Sequence, residues 1–268
     1  MERLWLAIVV GFLQGIFEWL PISSEGNIAL YLSVVEGLDP ALATGFALFL
    51  HAGTAVAAIV YYRGELVDLG RRLPEWRPRQ AAALPDLTFL GVATLASGVV
   101  GITAYLTLES LFSALAGGAF VALVGLLLVA TGVLQRVAAA RLGDRVDPTL
   151  PDALLVGVLQ GLAILPGVSR SGTTVSALLV RGYDAEASFR LSFLLSIPAS
   201  LGAGLLVVLD DGLPELSVGA ALVSLAVAAV VGYLTIDALL RVVRRVPFWG
   251  VCVGLGTLAV VGGALAVV

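Results

Sequence analysis

Long apolar runs, separated by short polar segments, dominate the chain. About 20 consecutive apolar residues suffice to cross the hydrocarbon core of a bilayer. Six stretches are this long, at 41–62, 87–106, 113–134, 187–209, 217–236 and 247–268. The pattern predicts an all-α integral membrane protein with six transmembrane helices, in which residues 1–268 form a single membrane domain.

Two further apolar segments are interrupted by polar residues. The sequence GFLQGIFEWLPISSEGN begins at Gly11, and GVLQGLAILPGVSRSGTT begins at Gly157. Pro21 and Pro166 cannot continue a helix. Irregular backbone at membrane depth is tolerated only where it is buried in protein or lines a wet cavity. Each segment is therefore predicted to be a re-entrant helical hairpin with a break at its tip.

Arginine positions predict the orientation. Three connections are rich in arginine, at residues 63–79, 136–145 and 241–245, whereas the others carry Glu36, Asp39, Glu109, Asp210, Asp211 and Glu215. The positive-inside rule makes the arginine-rich connections cytoplasmic. The expected location is the plasma membrane, as a multi-pass protein with its N- and C-termini outside.

The two interrupted segments resemble each other. Gly11, Leu13, Gln14 and Gly15 match Gly157, Leu159, Gln160 and Gly161, and Ser23 and Gly26 match Ser169 and Gly172, all at an offset of 146. Because the first segment starts outside and the second inside, the match predicts an inverted-topology repeat with halves of about 1–135 and 150–268. The two breaks would then meet near the membrane midplane, where such folds bind substrate.

Composition agrees with this class and excludes others. Hydrophobic residues make up 59% of the chain and charged residues 13%, about half the charge of a typical soluble domain. The single Cys252 excludes an internal disulfide, and the single His51 excludes a histidine-rich metal site. The bilayer is the expected environment, and nucleic acid is not an expected partner.

The second break has the composition of an anion site. Arg170 offers a planar fork of donors that suits phosphate oxygens, and a helix N-terminus adds oriented N–H groups. The surrounding residues are hydroxyl-bearing or small and are candidate ligands: Ser169, Ser171, Gly172, Thr173 and Thr174.

The first break supplies carboxylates. Gln14 and Glu18 lie four residues apart on one helix face, and Ser23, Ser24, Glu25 and Asn27 follow. A carboxylate beside a hydroxyl can act as base to a nucleophile, or it can hold a divalent cation that bridges to phosphate.

Structural interpretations remain open beside the functional ones. Glu18 and Arg170 could form a buried ion pair, Gln14 an interhelical hydrogen bond, and Ser24 and Ser169 helix caps. His51, inside a span, is a candidate site residue or a packing residue. Arg181 and Arg190 are expected to extend toward the headgroups.

These motifs resemble those of the undecaprenyl-pyrophosphate phosphatases, membrane enzymes that recycle the polyprenyl carrier lipid of cell-envelope synthesis. LQGIFEWLPISSEGN is similar to the first motif of that family and PGVSRSGTT to the second. The resemblance implies hydrolysis of a polyprenyl diphosphate to the monophosphate with a divalent cation, Mg²⁺ or Ca²⁺.

The resemblance also implies residue roles. Glu18, Ser24 and Arg170 match catalytic positions, Gln14 and Glu18 are candidate metal ligands, and Gln14, Ser23, Glu25, Asn27, Ser169, Ser171, Gly172, Thr173 and Thr174 are candidates for binding substrate. The chain departs from the family at position 27, where Asn27 replaces a histidine and can only hydrogen-bond. Glu25, Glu18 or His51 would then move the proton.

Two other functions are compatible with the sequence. Inverted repeats with broken hairpins are typical of transporters, so a lipid-phosphate flippase that has lost hydrolysis is the alternative. A structural or regulatory protein with a relic site is the third. A homodimer is a candidate assembly.

Overall fold

The structure is a computed structural model that describes residues 2–114, 117–141, 143–210, 217–243 and 245–267. Eleven α-helices occur in these ranges, without a named β-strand. They are α1 (Glu2–Phe17), α2 (Ser24–Leu30), α3 (Pro40–Tyr61), α4 (Arg63–Arg72), α5 (Pro85–Ala114), α6 (Gly118–Ala139), α7 (Leu150–Leu162), α8 (Arg170–Val180), α9 (Ala185–Asp210), α10 (Val218–Val243) and α11 (Trp249–Val267). Short turns of π-helix (Tyr31–Val35) and 3₁₀-helix (Leu73–Glu75, Pro78–Ala83) complete the list.

The prediction of six long apolar helices is confirmed. Within the described ranges, α3, α5, α6, α9, α10 and α11 are long and apolar enough to cross a membrane. The largest difference at a single boundary is at the second span, which was predicted to end at residue 106 and whose helix α5 ends at Ala114. The third span was predicted to begin at residue 113. There α5 continues to Ala114, and α6 begins only after Gly117, whose φ of 60° is left-handed.

Two arginines that were predicted to lie in connections lie in the ends of long helices instead. Arg136 lies in the last turn of α6 and Arg241 in the last turn of α10. Arg63 begins α4, so the connection after α3 contains a helix of its own. Long basic side chains can extend from a helix end toward water, which explains why these helices continue past their apolar part.

Close packing between helices depends on two glycines, Gly11 and Gly157, that match each other in the sequence at the offset of 146. A Cβ on Gly11 of α1 would lie 2.5 Å from the Ser224 carbonyl oxygen of α10. A Cβ on Gly157 of α7 would lie 2.6 Å from the Ala93 carbonyl oxygen of α5. Small residues let membrane helices approach to backbone contact, so α1 packs on α10 as α7 packs on α5.

A buried carboxylate ties the start of α7 to the end of α8. The Asp152 side chain is fully buried and accepts hydrogen bonds from Arg181 (2.6 Å), Tyr183 (2.6 Å), Arg145 (2.9 Å) and Thr149 (2.6 Å). The first turn of α7 therefore lies beside the C-terminal cap of α8, so the two helices double back as a hairpin. Arg181, expected to reach for headgroups, is in this ion pair instead.

The same contacts set the ionisation of Asp152. Burial alone would raise the pKa of this carboxyl, but the hydrogen bonds from Thr149, Tyr183 and Arg181 outweigh burial and hold the pKa well below its usual value. Burial, followed by the hydrogen bond to Asp152, raises the pKa of the Tyr183 hydroxyl. Asp152 therefore stays charged and tyrosine stays neutral at neutral pH.

A second ionic cluster lies where α5 and α9 begin. Arg190 in α9 donates to Asp86 in the first turn of α5 (2.6 Å) and to Glu65 of α4. These three helix ends are therefore adjacent. Arg190, like Arg181, is paired with carboxylates and does not extend freely.

Candidate functional site

The two predicted helix breaks touch each other. Break one is residues 18–23, between α1 and α2, and break two is residues 163–169, between α7 and α8. The Gly167 N–H donates to Ser23 Oγ (3.1 Å), and Ser171 Oγ donates to the Leu20 carbonyl (3.4 Å). A Cβ on Gly26 would lie 2.6 Å from Gly167 N, so this contact requires glycine.

Serine caps the helix that follows each break. Ser169 Oγ accepts from the Gly172 N–H (3.1 Å), and Ser23 Oγ accepts from the Gly26 N–H (3.2 Å). Ser23 has a φ of 60°, the only positive φ outside glycine in the described chain. The capping interpretation is correct for Ser169, whereas in break one the cap is Ser23. The hydroxyl of Ser24 is therefore available for another contact.

Glu18 is the centre of the site. Its carboxylate accepts from Arg170 Nη2 (2.6 Å), Ser24 Oγ (2.8 Å) and Gln14 Nε2 (3.0 Å), and His51 Nε2 lies 3.3 Å away. The residue is only 5% exposed. A buried carboxylate needs such donors, because an unpaired buried charge is very costly. Glu18 thus has both oxygens engaged.

Arg170 keeps one donor free. It is the first residue of α8, its Nη1 reaches the Ser192 carbonyl (3.4 Å), and its guanidinium lies 5.9 Å from the centre of the Phe193 ring. Its Nε is buried and has no hydrogen-bond partner. An unpaired buried donor on a cation is suited to a bound anion.

Two acceptor oxygens are also buried without partners near these groups. They are Oε1 of Glu25, whose residue is 3% exposed, and Oε1 of Gln14. Native proteins rarely leave buried oxygens unpaired. These two therefore need a cation, a proton or a hydrogen-bond donor from a ligand or water.

Two cavities adjoin the cluster. The smaller, which we call the polar pocket, has a volume of about 20 Å³ and is lined by Glu18, Leu20, Ser23, Ser24, Glu25, His51, Ala163, Val168, Ser169, Arg170 and Ser171. The larger, which we call the groove, has a volume of about 430 Å³ and runs between α5, α7 and α9. Glu25, His51, Ala163 and Arg170 line both cavities. The polar pocket and the groove therefore meet at these four residues.

The groove is mostly apolar and reaches the outer surface of the bundle. Ile102, Leu205 and Leu209 line it and are about half exposed or more. Gln160, which matches Gln14 in the sequence at the offset of 146, also lines it, donates to Ser97 Oγ (3.2 Å), and has an unpaired Oε1. An apolar chain can thus enter the groove from the side of the protein that faces lipid.

Most of the predicted site residues come together. Glu18, Ser23, Ser24, Glu25, His51, Ser169, Arg170 and Ser171 line the polar pocket, and Gln14 hydrogen-bonds to Glu18. Four others line neither cavity: Asn27, Gly172, Thr173 and Thr174. Thr174 Oγ1 instead bonds the Arg170 carbonyl (2.9 Å) and Ser192 Oγ (2.6 Å), and so supports the start of α8.

Asn27 points away from the pocket. Its amide donates to the carbonyls of Ile22 (2.6 Å) and Ser23 (2.9 Å), and the Ser23 carbonyl also accepts the backbone N–H of Asn27 (3.1 Å) at the start of α2. The expectation that Asn27 contacts substrate is therefore not met by its position. It stabilises break one.

Two residues that hydrogen-bond to break one, from α6 and α11, were not predicted from the sequence. Gln135 Nε2 donates to the Pro21 carbonyl (2.6 Å), and the Cys252 thiol donates to the same oxygen (3.0 Å). An uncharged amide directly after the apolar run 113–134 was the available signal for Gln135. The contact of Cys252 had no signal, because cysteine is usually buried for packing alone.

Comparison with known proteins agrees with this geometry. A family model described as "Bacitracin resistance protein BacA" matches residues 7–258. The chain belongs to the BacA family. The match includes both breaks and all the residues of the polar pocket, and it confirms the resemblance inferred from the two motifs. With its six long apolar helices, this BacA-family chain is a multi-pass membrane protein.

Similar proteins cover the chain almost completely. An undecaprenyl-diphosphatase of Haloarcula marismortui is 58% identical over 267 residues, which is 99% of both chains. One of Methanococcoides burtonii is 40% identical over 257 residues, 95% of this chain and 96% of its own. One of Methanopyrus kandleri is 39% identical over 260 residues, 96% of this chain and 95% of its own. This BacA-family chain is thus similar along its whole length to proteins named for one activity.

Proposed function

We propose that this protein hydrolyses a polyprenyl diphosphate of the undecaprenyl type to the monophosphate, and so recycles the carrier lipid of cell-envelope synthesis. The observation that carries the proposal is the free Nε of Arg170, buried where the polar pocket joins the groove. A polyprenyl diphosphate joins a charged headgroup to an apolar chain, so its headgroup matches the polar pocket and its chain matches the groove. The names of the relatives support the same reaction.

The terminal phosphate belongs in the polar pocket. Arg170 provides the positive charge, and Ser169 and Ser171 provide hydroxyls at the first turn of α8, where helical N–H groups favour anions. Because the pocket has a volume of only about 20 Å³, the phosphate must take over part of the contact between Arg170 and Glu18. Binding therefore loosens the ion pair.

Ser24 and Glu18 provide the chemistry of bond cleavage. The Ser24 hydroxyl donates to Glu18 (2.8 Å), which is the geometry of a nucleophile beside its base. As the bond from Ser24 Oγ to the terminal phosphorus forms, the hydroxyl proton passes to Glu18. The bridging oxygen leaves with its electron pair on the lipid monophosphate. Water then attacks the phosphorus, the bond from phosphorus to Ser24 Oγ breaks, and Glu18 returns its proton to Ser24 Oγ as phosphate leaves with the protons of the water.

We also propose that a divalent cation, Mg²⁺ or Ca²⁺, accompanies the diphosphate and neutralises its charge. The open oxygen donors are Oε1 of Gln14 and Oε1 of Glu25, whereas Glu18, the other expected ligand, is surrounded by four donors. No cluster of three or more acidic, histidine or cysteine side chains suited to a metal occurs in the described residues. Phosphate oxygens and water would complete the shell, as is usual for Mg²⁺.

The groove takes the start of the polyprenyl chain. Its walls are apolar, and its outer end lies among exposed leucines that would face lipid. A long chain need not be enclosed, because the remainder can stay in the bilayer. Substrate would thus enter sideways from the membrane.

We place the protein in the plasma membrane with the arginine-rich helix ends inside and both termini outside. The hairpin of α7 and α8 would be re-entrant, and α1 with α2 would be its counterpart in an inverted repeat. α1 packs on α10 in the same way as α7 packs on α5, with matching glycines at the two contacts, and this correspondence supports the arrangement. A homodimer stays a prediction.

Phosphate release from a C55-type polyprenyl diphosphate by the purified protein with Mg²⁺ tests the function. We expect release by the parent protein and by Thr44→Val, a buried change on α3 that lies outside both cavities. We expect none with Arg170→Ala. If the parent binds the lipid but releases no phosphate, the lipid-phosphate flippase becomes the better explanation.

A further inference from the structure

One face of α6 carries two polar side chains that the proposed reaction leaves without a role. Thr131 is 4% exposed, and Gln135 follows four residues later on the same face. Neither residue lines the polar pocket or the groove. Polar side chains in membrane helices commonly join one helix to another, so the partners of these two residues indicate what they do.

Thr131 contacts break two. Its Oγ1 donates to the Gly167 carbonyl oxygen (3.3 Å) and accepts from the Ser169 N–H (3.4 Å). A threonine hydroxyl can donate and accept at once. Ser169 caps α8, and Arg170 is the first residue of that helix. Thr131 therefore ties the start of the helix that carries Arg170 to α6.

Gln135 lies between break one and the first turn of α8. Its Nε2 donates to the Pro21 carbonyl oxygen (2.6 Å). The same nitrogen lies against Gly172, where a Cβ would come within 2.6 Å of it. Gly172 was expected to bind substrate, but its missing side chain leaves space for the Gln135 amide instead. This one amide thus sets the distance from break one to α8.

α6 is itself held in place by α11. A Cβ on Gly132 of α6 would lie 2.8 Å from the Trp249 carbonyl oxygen of α11, so the two helices pack to backbone contact. The Cys252 thiol of α11 also donates to the Pro21 carbonyl (3.0 Å). The pair of α6 and α11 is thus a common support for both breaks.

We propose that Thr131 and Gln135 are positioning residues, which hold the two breaks at the separation that the reaction requires. This step rests on the proposed function for the identity of the reaction. Ser24 follows break one and Arg170 follows break two, and the Glu18 carboxylate accepts from both (2.8 and 2.6 Å). A phosphate that takes over part of the contact between Arg170 and Glu18 loosens this link. The contacts of α6 lie outside the pocket, so they persist when the lipid binds.

Steady-state kinetics with variants of matched shape test the proposal. Gln135→Met and Thr131→Val each remove a hydrogen-bonding group at similar volume. In both we expect kcat to fall about 10-fold while KM changes by less than about twofold, because the reacting groups are misaligned but the charge of Arg170 and the groove still bind substrate. Thr131→Ser retains the hydroxyl and should keep the kcat of the parent. A parental kcat in both Gln135→Met and Thr131→Val would overturn the proposal.

A count of lipid-binding sites separates positioning from loss of folded protein. Radiolabelled farnesyl monophosphate should bind the same number of sites per chain in the parent, Gln135→Met and Thr131→Val, so that kcat falls per site. Phe89→Leu, a buried change outside both cavities, should lower the temperature of unfolding and leave kcat per site unchanged. A loss of sites that accounts for the whole loss of activity would overturn the proposal, because the two residues would then be structural only.

Gly172→Ala tests the same contact from the side of α8. The added methyl group must displace the Gln135 amide, whereas the Ser169 hydroxyl, at 3.0 Å, has to move only slightly. Gly172→Ala should therefore lower kcat about 10-fold in the parent. It should cause no further loss in Gln135→Ala, where the methyl group has space. Additive losses of kcat would overturn the role of this contact.

The two proposals can fail separately. A parent protein that releases no phosphate would end the phosphatase proposal. Hydrogen exchange of the peptide that contains Gly167, whose N–H donates to Ser23 of break one, would still report on the contact between the breaks. Faster exchange of this peptide in Gln135→Met, with the peptides of α3 unchanged, would support the role of α6, and equal exchange would overturn it.

Discussion

Arg170 Nη2 lies 2.6 Å from Glu18 Oε1, so one ion pair joins two helix breaks that are 152 positions apart in the chain. The pair is nearly buried, with 11% and 4% of the two side chains exposed. The pair therefore affects both the stability of the fold and the access of a phosphate to the polar pocket. It holds the breaks together, and it fills the space that a phosphate must enter.

Removing one member of this pair should harm both folding and activity. Glu18→Ala leaves Arg170 uncompensated, which costs about 3–5 kcal/mol for a buried pair, and phosphate release should fall at least about 100-fold. Glu18→Ala with Arg170→Ala should cost less stability than the two single changes added together. Thermal unfolding in detergent, run with the activity assay, measures both. Strictly additive losses of stability would contradict a direct pair.

The groove predicts chain-length selectivity that glycine substitutions can alter. Gly98 and Gly202 line the groove, and a Cβ at either position meets no atom within 4 Å. Leucine at either site should fit the fold but reduce hydrolysis of a long-chain diphosphate by about 10-fold or more through overpacking.

The matched control for the groove is on the same helix as Gly98. Gly91→Leu also adds a side chain in open space, but Gly91 lines neither cavity, so activity should be retained. Isopentenyl diphosphate, which is too short to fill the groove, should be hydrolysed by all the variants. Equal loss with both substrates would show that the groove does not hold the chain.

The Asp152 cluster predicts a pH-dependent contribution to stability. The lowered pKa of Asp152 means that its contribution is present above the ordinary aspartate value of about 3.9 and is lost as the pH falls below it. At pH 7, Asp152→Asn should lower the free energy of unfolding by about 2–3 kcal/mol, because hydrogen bonds to a charged group are weakened.

Thermal unfolding of the parent and of Asp152→Asn, measured between neutral and acidic pH, tests whether this stabilisation is lost as the pH falls. The difference between parent and Asp152→Asn should shrink on acidification below pH about 4. Asp144→Asn, at an exposed site in the same connection, should match the parent throughout. A difference in stability between the two proteins that grows in acid would contradict a lowered pKa for Asp152.

A histidine at position 27 should not increase the hydrolysis of the diphosphate. Asn27 donates two hydrogen bonds to the carbonyls of break one and lines neither cavity. In Asn27→His one bond is lost, so we expect about 1 kcal/mol less stability and no increase in phosphate release. A large increase would mean that the imidazole reaches the pocket and that break one rearranges.

Much of the architecture could be predicted because single residues decide it. Pro21 and Pro166 end helices for local reasons, and the apolar runs set the six long helices, although α5 and α10 continue eight and seven residues past their predicted ends. The meeting of Glu18 and Arg170 followed from two charges that are costly within a membrane, each placed beside a break. Such charges need partners.

Other contacts could not be predicted, because they depend on the register between distant helices. Gln135 and Cys252 reach the same Pro21 carbonyl from α6 and α11. The direction of Asn27 depends on where the break places the carbonyls of Ile22 and Ser23. The pairing of Arg181 with Asp152 required knowing that α7 and α8 double back.

The hydroxyl of Ser23 sets an order for biosynthesis. It accepts from Gly26 in the first half and from Gly167 in the second, while its own backbone is left-handed. Such a backbone costs about 1–3 kcal/mol and persists only where its surroundings enforce it. A ribosome makes the first half long before residue 167, so the early chain has no donor from the second break. Break one can reach its final shape only after break two has been synthesised, and an unfinished chain therefore lacks the polar pocket that the two breaks form together.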